Sequence, residues 1–184
     1  PKPSPVVRLF STLVPRQRIE IEIDTGEEVL PYNEKKVIAY IPGEALHKAP
    51  EKEAGADNVS VTLESLAWGR SGDKGSIAII GIIARHREFV PYIAAQLTDQ
   101  KVAAYFSHFL EPGQQRPVER FLLPGCHGFN FLLHDVLGGG GVASLRTDSQ
   151  GKGYAQLLLT ELVQVPLSLA TQFNLQPEGL RNES

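Results

Sequence analysis

Methionine is missing from all 184 residues, the initiator included, so the chain is expected to begin inside a longer polypeptide or after processing. Cysteine is almost missing: Cys126 stands alone, which excludes an internal disulfide and a cysteine-rich metal site. No strong charge of either sign is present. With a net charge of −3 and no run of lysine or arginine, the basic patch of a dedicated nucleic-acid binder is absent. No apolar stretch approaches the length of a membrane span, and the N-terminus lacks the charged-then-apolar plan of a signal peptide. These absences leave a cytoplasmic protein of ordinary globular composition, with neither nucleic acid nor membrane expected as a partner. The length suits one well-packed domain plus an appendage.

Pro1 to Pro5 hold three prolines and are expected to be extended. Ile19, Ile21 and Ile23 alternate with Glu20, Glu22 and Asp24, a strand with one apolar face, and Val37–Ile41 is its expected hairpin partner. Residues 1–43 therefore read as a strand-rich extension too short for a core of its own, which implies a covering partner. Residues 44–58 mix charge with Ala, Gly and Pro and read as a linker. The compact domain, 59–166, opens with the alternating strand Val59–Glu64, and residues 167–184 form a tail whose end, from Gln176, is expected to fray.

The best candidate site is Gly69-Arg70-Ser71-Gly72-Asp73-Lys74-Gly75-Ser76, a polar segment between two apolar runs. Three glycines free the backbone so that consecutive N–H groups can face one guest, while Arg70 and Lys74 add positive charge and Asp73 a carboxylate. Such a loop suits an anion. It is not a phosphate-binding P-loop, because Lys74 precedes Gly75 and a β-branched strand, Ile77–Ala84, follows where a helix would be needed. The alternative is a plain hairpin connection. Trp68, just before it, either walls a pocket or caps the core, the core being preferred.

Beyond that strand, Phe89, Ile93 and Leu97 keep helical spacing. A second helix starts at Thr98 and presents Val102, Tyr105, Phe106 and Phe109 on one stripe. Residues 117–123 read as a third strand. If Cys126–Leu137 is a helix, Phe129, Leu132, Leu133, Val136 and Leu137 form its apolar face. His127, Asn130 and His134 then share the other face, either to handle a proton or as a solvent-facing stripe, the stripe being preferred. Cys126 is read as a small buried filler rather than a nucleophile. Gly138 is explained as a helix cap, whereas Gly139, Gly140 and Gly141 call for close approach to a ligand or another chain. Ser144 and Arg146 add polar groups beside them. A short helix over 151–159, with Tyr154, Leu157 and Leu158 inward, and a closing strand at 161–166 complete the domain. No metal site and no cofactor are called for.

Four phrases occur in order: Ala67-Trp68-Gly69-Arg70-Ser71-Gly72-Asp73-Lys74-Gly75, Leu123-Pro124-Gly125, Asn130-Phe131-Leu132-Leu133-His134, and Leu137-Gly138-Gly139-Gly140-Gly141-Val142-Ala143-Ser144-Leu145-Arg146. Together they resemble the C-terminal domain of the acyclic terpene utilisation (AtuA-type) family, over about residues 59–166. Ser76-Ile77-Ala78 departs from the Asn-Thr-Ala more usual in relatives. The resemblance implies an α+β, ferredoxin-like sandwich, an antiparallel-rich sheet with helices on one face. Residues 1–43 are similar to the tail of the much larger domain that precedes it in the family. A large AtuA-type domain or subunit is thus the implied partner, with a homo-oligomer expected, and terpene or branched acyl-CoA catabolism the implied setting.

Two functional readings follow. In one, Arg70, Ser71, Gly72, Lys74, Gly75, Gly139, Gly140, Gly141, Ser144 and Arg146 hold a phosphate or carboxylate while Asp73, His127, Asn130 and His134 carry chemistry. In the other, the chain is a non-catalytic module that packs on the large domain.

Overall fold

The computed structural model describes residue 5, residues 12–32 and residues 57–178. The chain forms two compact units, one of Phe10–Leu46 and one of His47–Ser184 together with Pro1–Leu9.

In the smaller unit, Glu22–Asp24 (β1) pairs antiparallel with Val29–Pro31 (β2), not with Val37–Ile41, which lies outside the described residues. The turn is set by Asp24, whose carboxylate accepts from the N–H of Gly26, a glycine at φ 82°. Every residue of both strands is exposed.

The larger unit is built on a four-stranded antiparallel sheet. Ala67–Lys74 (β4) and Ile77–Ala84 (β5) form a hairpin, and Val118–Leu123 (β6) and Gly128–Leu133 (β7) form another, in the spatial order β4-β5-β7-β6. Asn58–Thr62 (β3) pairs separately with Leu162–Pro166 (β8). The one-turn helix Leu63–Leu66 (α1) joins β3 to β4. Val90–Gln96 (α2) and Asp99–Tyr105 (α3) cross from β5 to β6, Tyr154–Leu159 (α4) precedes β8, and Leu167–Gln172 (α5) follows it at the start of the expected tail. Of the segment from Gln176, the Glu178 N–H donates to Ser60 O at 2.8 Å, and residues 179–184 lie outside the described residues.

Local chemistry explains these boundaries. Thr98 caps α3 as its sequence implies, its hydroxyl accepting from the Lys101 N–H at 3.1 Å. In β5 the apolar run is split by the pleat. Ala78, Ile80, Ile82 and Ala84 are buried, whereas Ile77, Ile79, Gly81 and Ile83 face the other side. The buried face meets Phe89, Ile93 and Leu97 around α2, Val102 and Phe106 around α3, and Tyr154 and Leu158 of α4, all in one core. Each such side chain contributes roughly 1.5–3 kcal/mol by leaving water. Leu157, expected inward, points out with 43% exposure. The result is an α+β sandwich with antiparallel sheets, as expected. Among the described residues no helix is long and apolar enough to cross a membrane.

The segment 126–137, read as a helix, is the main correction. Residues 128–133 are strand β7, with Phe129, Phe131 and Leu133 turned to the core and Asn130 and Leu132 away from it. The segment fits a helical period and an alternating one alike, and pairing to β5 and β6 on both sides decides for the strand.

Candidate functional site

The polar segment 69–76 is not a loop. Through Lys74 it is strand, and only Gly75 and Ser76 turn. Gly75 has φ 64°, the positive value that a type II′ hairpin requires at its first central residue. Ser71 is buried: its hydroxyl donates to Lys152 O at 3.0 Å and accepts from the Ala155 N–H at 2.9 Å. Ala155 is the second residue of α4, whose N-cap, Gly153, has no side chain to offer. Ser71 therefore caps that helix from a distant strand. Asp148 shapes the approach, its two carboxylate oxygens accepting from the N–H groups of Lys152 and Gly153. Asp73 lies 3.8 Å from the Lys152 ammonium.

The glycine run does lie against the hairpin turn, and the reason is packing between backbones. Gly140 has φ 78°, and a Cβ there would stand 2.6 Å from the Gly75 carbonyl carbon. The Gly139 N–H donates to Ser76 Oγ at 3.3 Å, and the Leu137 N–H to Ser76 O at 3.2 Å. Gly141 has open space around it. The Arg146 guanidinium donates to Phe109 O and lies 5.3 Å from the centre of the Phe109 ring, while Ser144 Oγ accepts from the Arg146 N–H. Ser71, Gly139, Gly140, Ser144 and Arg146 are thus engaged within the fold.

His127, Asn130 and His134 do not converge. Asn130 lies within β7, His134 follows the strand in a turn four residues on, and His127 precedes the strand with φ 55°. The His134 Nε2 meets Glu119 Oε1 at 2.7 Å. Cys126, expected to be buried, is exposed. Trp68 is not in the core either: it is 55% exposed, with the Arg85 guanidinium 4.8 Å from its ring centre.

What the strands assemble is the outer face of the sheet. Registers place Trp68, Ile83, Gly128 and Leu123 in one row across β4, β5, β7 and β6, and Arg70, Gly81, Asn130 and Phe121 in the next. Among the described residues no helix covers this side at Trp68, Ile83, Phe121 and Leu123, which are 41–55% exposed. A groove of about 510 Å³ lies over it, lined among others by Trp68, Arg70, Lys74, Ile79, Asn130 and Lys152. Arg70, Lys74 and Asn130 were singled out from sequence; Ile79, Gly81, Ile83, Phe121, Leu123 and Lys152 were missed. The alternation inside Ile77–Ala84 was the signal available for the β5 residues.

The model of the AtuA ferredoxin-like domain family matches residues 61–164. The chain belongs to this family. No curated protein and no solved structure matches it.

In this AtuA ferredoxin-like domain, no group of three or more His, Cys, Asp or Glu side chains among the described residues is placed to hold a metal ion. Tyr154 is stacked on Phe106 and Phe109, and burial raises its pKa above the ordinary 10.0, while the Arg146 guanidinium acts the other way.

Proposed function

We propose that this AtuA ferredoxin-like domain is an accessory module of a cytoplasmic AtuA-type protein of acyclic terpene or branched acyl-CoA catabolism. It docks its open sheet face on the large domain that precedes it in the family. The observation that supports this is the exposed apolar set on one side of one sheet, Trp68, Ile83, Phe121 and Leu123, facing away from a core that does not need them. Such patches mark interaction surfaces more often than accidents. A catalytic role has less support, because the residues nominated for it are separated or engaged in holding the fold. The implied partner is a domain rather than a peptide, since the four residues spread over four strands.

Co-purification of the chain with a co-expressed large AtuA-type domain tests the reading. The wild type is expected to be retained, and Trp68→Asp with Phe121→Asp to abolish retention at an unchanged melting temperature, since both side chains are exposed. Undiminished retention by the double variant would refute docking through this face. Sedimentation of the chain alone separates the remaining outcome, a second copy covering the same face.

An anionic ligand is the second reading. It is favoured by Arg70 and Lys74, which have no ionic partner among the described residues although both line the groove.

A further inference from the structure

Three glycines on the open face lie on one diagonal. Gly72 of β4 is in the row of Ile79, Gly81 of β5 in the row of Arg70 and Asn130, and Gly128 of β7 in the row of Ile83 and Leu123. Each step crosses one strand and moves two residues along. Diagonal neighbours stand about 7–8 Å apart, so the line without side chains is about 15 Å long. Glycine weakens a strand interior, and in a sheet otherwise filled with isoleucine its recurrence marks close approach by something else.

The surroundings of the three differ in a directional way. A Cβ at Gly81 would meet only the Arg70 carbonyl oxygen at 3.8 Å, ordinary contact with open space above. At the Gly72 end the Lys152 ammonium stands 3.1 Å from the Cβ position. At the Gly128 end the Cys126 sulfur and the Ile82 carbonyl oxygen, both at 3.1 Å, and Ile83 Cγ1 at 3.5 Å close the line. The side chains of the trough are therefore cationic at one end and without charge at the other. Arg70 and Lys74 reinforce the first, with Asp73 the sole acid in the lining, and Ile79, Ile83 and Leu123 form the walls of the rest. No hydrogen bond of the Asn130 amide to a side chain or backbone group occurs among the described residues.

We propose that this trough binds an amphiphilic carboxylate, its head between Arg70 and Lys152 and its apolar tail along Gly81 toward Ile83 and Leu123. The inference rests on the reading of the open face as the working surface, and it adds a small molecule held where two domains meet, a common place for ligand sites. A planar carboxylate matches the Arg70 fork and the Asn130 amide. Phosphate is disfavoured, because the backbone N–H groups that would cradle it are taken: Gly139 N–H by Ser76 and Gly140 N–H by Leu137.

Titration of the whole chain with octanoate, followed calorimetrically and by amide NMR shifts, is the test. Octanoate is expected to bind in the millimolar range or tighter, with acetate about tenfold weaker or more and with octylamine and inorganic phosphate silent. Arg70→Gln should weaken octanoate by about tenfold or more. Gly81→Val is the decisive variant: its neighbours accept a side chain, so the melting temperature holds or rises while octanoate binding is lost. Unchanged octanoate affinity in Gly81→Val, phosphate binding as tight as octanoate, or no octanoate binding at all overturns the proposal. In the last case, retained co-purification with the large domain that Arg70→Gln disrupts shows that the face reads acidic side chains of a partner. Octanoate binding without co-purification would instead fail the docking reading alone.

Discussion

Ser71 and Tyr154 show how much of the polar chemistry in this chain serves the fold. The Ser71 hydroxyl supplies a cap to a helix whose acceptor-bound N–H, that of Ala155, is 84 residues away in sequence. Ser71→Ala leaves that buried donor without a partner, and an unfolding free energy lower by about 1–3 kcal/mol is expected from urea denaturation. Carboxylate titration of the same variant should be unchanged, because the hydroxyl faces α4. Tyr154 sets a pH limit. Its folded-state pKa lies above the unfolded 10.0, so between the two values the unfolded chain has released the proton and the folded one retains it. The associated stability is complete below pH 10 and is lost as pH climbs through the raised value. Tyr154→Phe keeps the ring stacked and removes this titration, so its melting temperature should fall less steeply above pH 10 than that of the wild type. Parallel melting curves for the two proteins across that range would contradict the assignment.

At the scale of elements, the glycine run after β7 carries unequal demands that its sequence hides. Gly140 combines φ 78° with direct contact on the Gly75 backbone, whereas Gly141 has neither a positive φ nor a neighbour within 4 Å. Gly140→Ala should therefore cost about 3 kcal/mol or more, from strain and overlap together. Gly141→Ala should stay within about 0.5 kcal/mol of the wild type. Calorimetry on the pair checks this, and equal effects would remove the packing explanation. The contrast also shows what was readable beforehand. The Thr98 cap, the aromatic stripe of α3, the strands at 118–123 and 162–166 and the presence of a special backbone at 138–141 all follow from local chemistry. The nature of β7 does not, because Phe129, Phe131 and Leu133 satisfy a strand while Phe129, Leu132 and Leu133 satisfy a helix. Neighbouring strands choose between them. Likewise, the acceptors of Ser71 and Arg146 are distant in sequence, so their side chains look free for a ligand until the fold engages them. The glycine diagonal is invisible in sequence for the same reason: it exists only in the register of three strands.

Across the whole molecule, the buried residues among those described run from Val61 to Ala170 and all belong to the larger unit, and they enclose the family match at 61–164 almost completely. The described residues of the smaller unit include none. Ile19, Ile21 and Ile23 are 47%, 40% and 47% exposed, and β1 and β2 have three residues each. A two-stranded hairpin of that size is marginal in water without a cover, and the isoleucines that would stabilise it contribute only when another surface removes them from water. Hydrogen exchange measures this directly at Thr25 and Tyr32, whose N–H groups donate to Glu28 O at 3.0 Å and Ile21 O at 2.9 Å. In the chain alone these amides should exchange far faster than those of Ile80 and Phe131, which open only with the core. Adding the large AtuA-type domain should slow them while leaving Ile80 and Phe131 unchanged. If Thr25 and Tyr32 are already as protected as Ile80 in the isolated chain at low concentration, the hairpin does not depend on a partner. Protection that appears only as the chain is concentrated would assign the cover to a second copy.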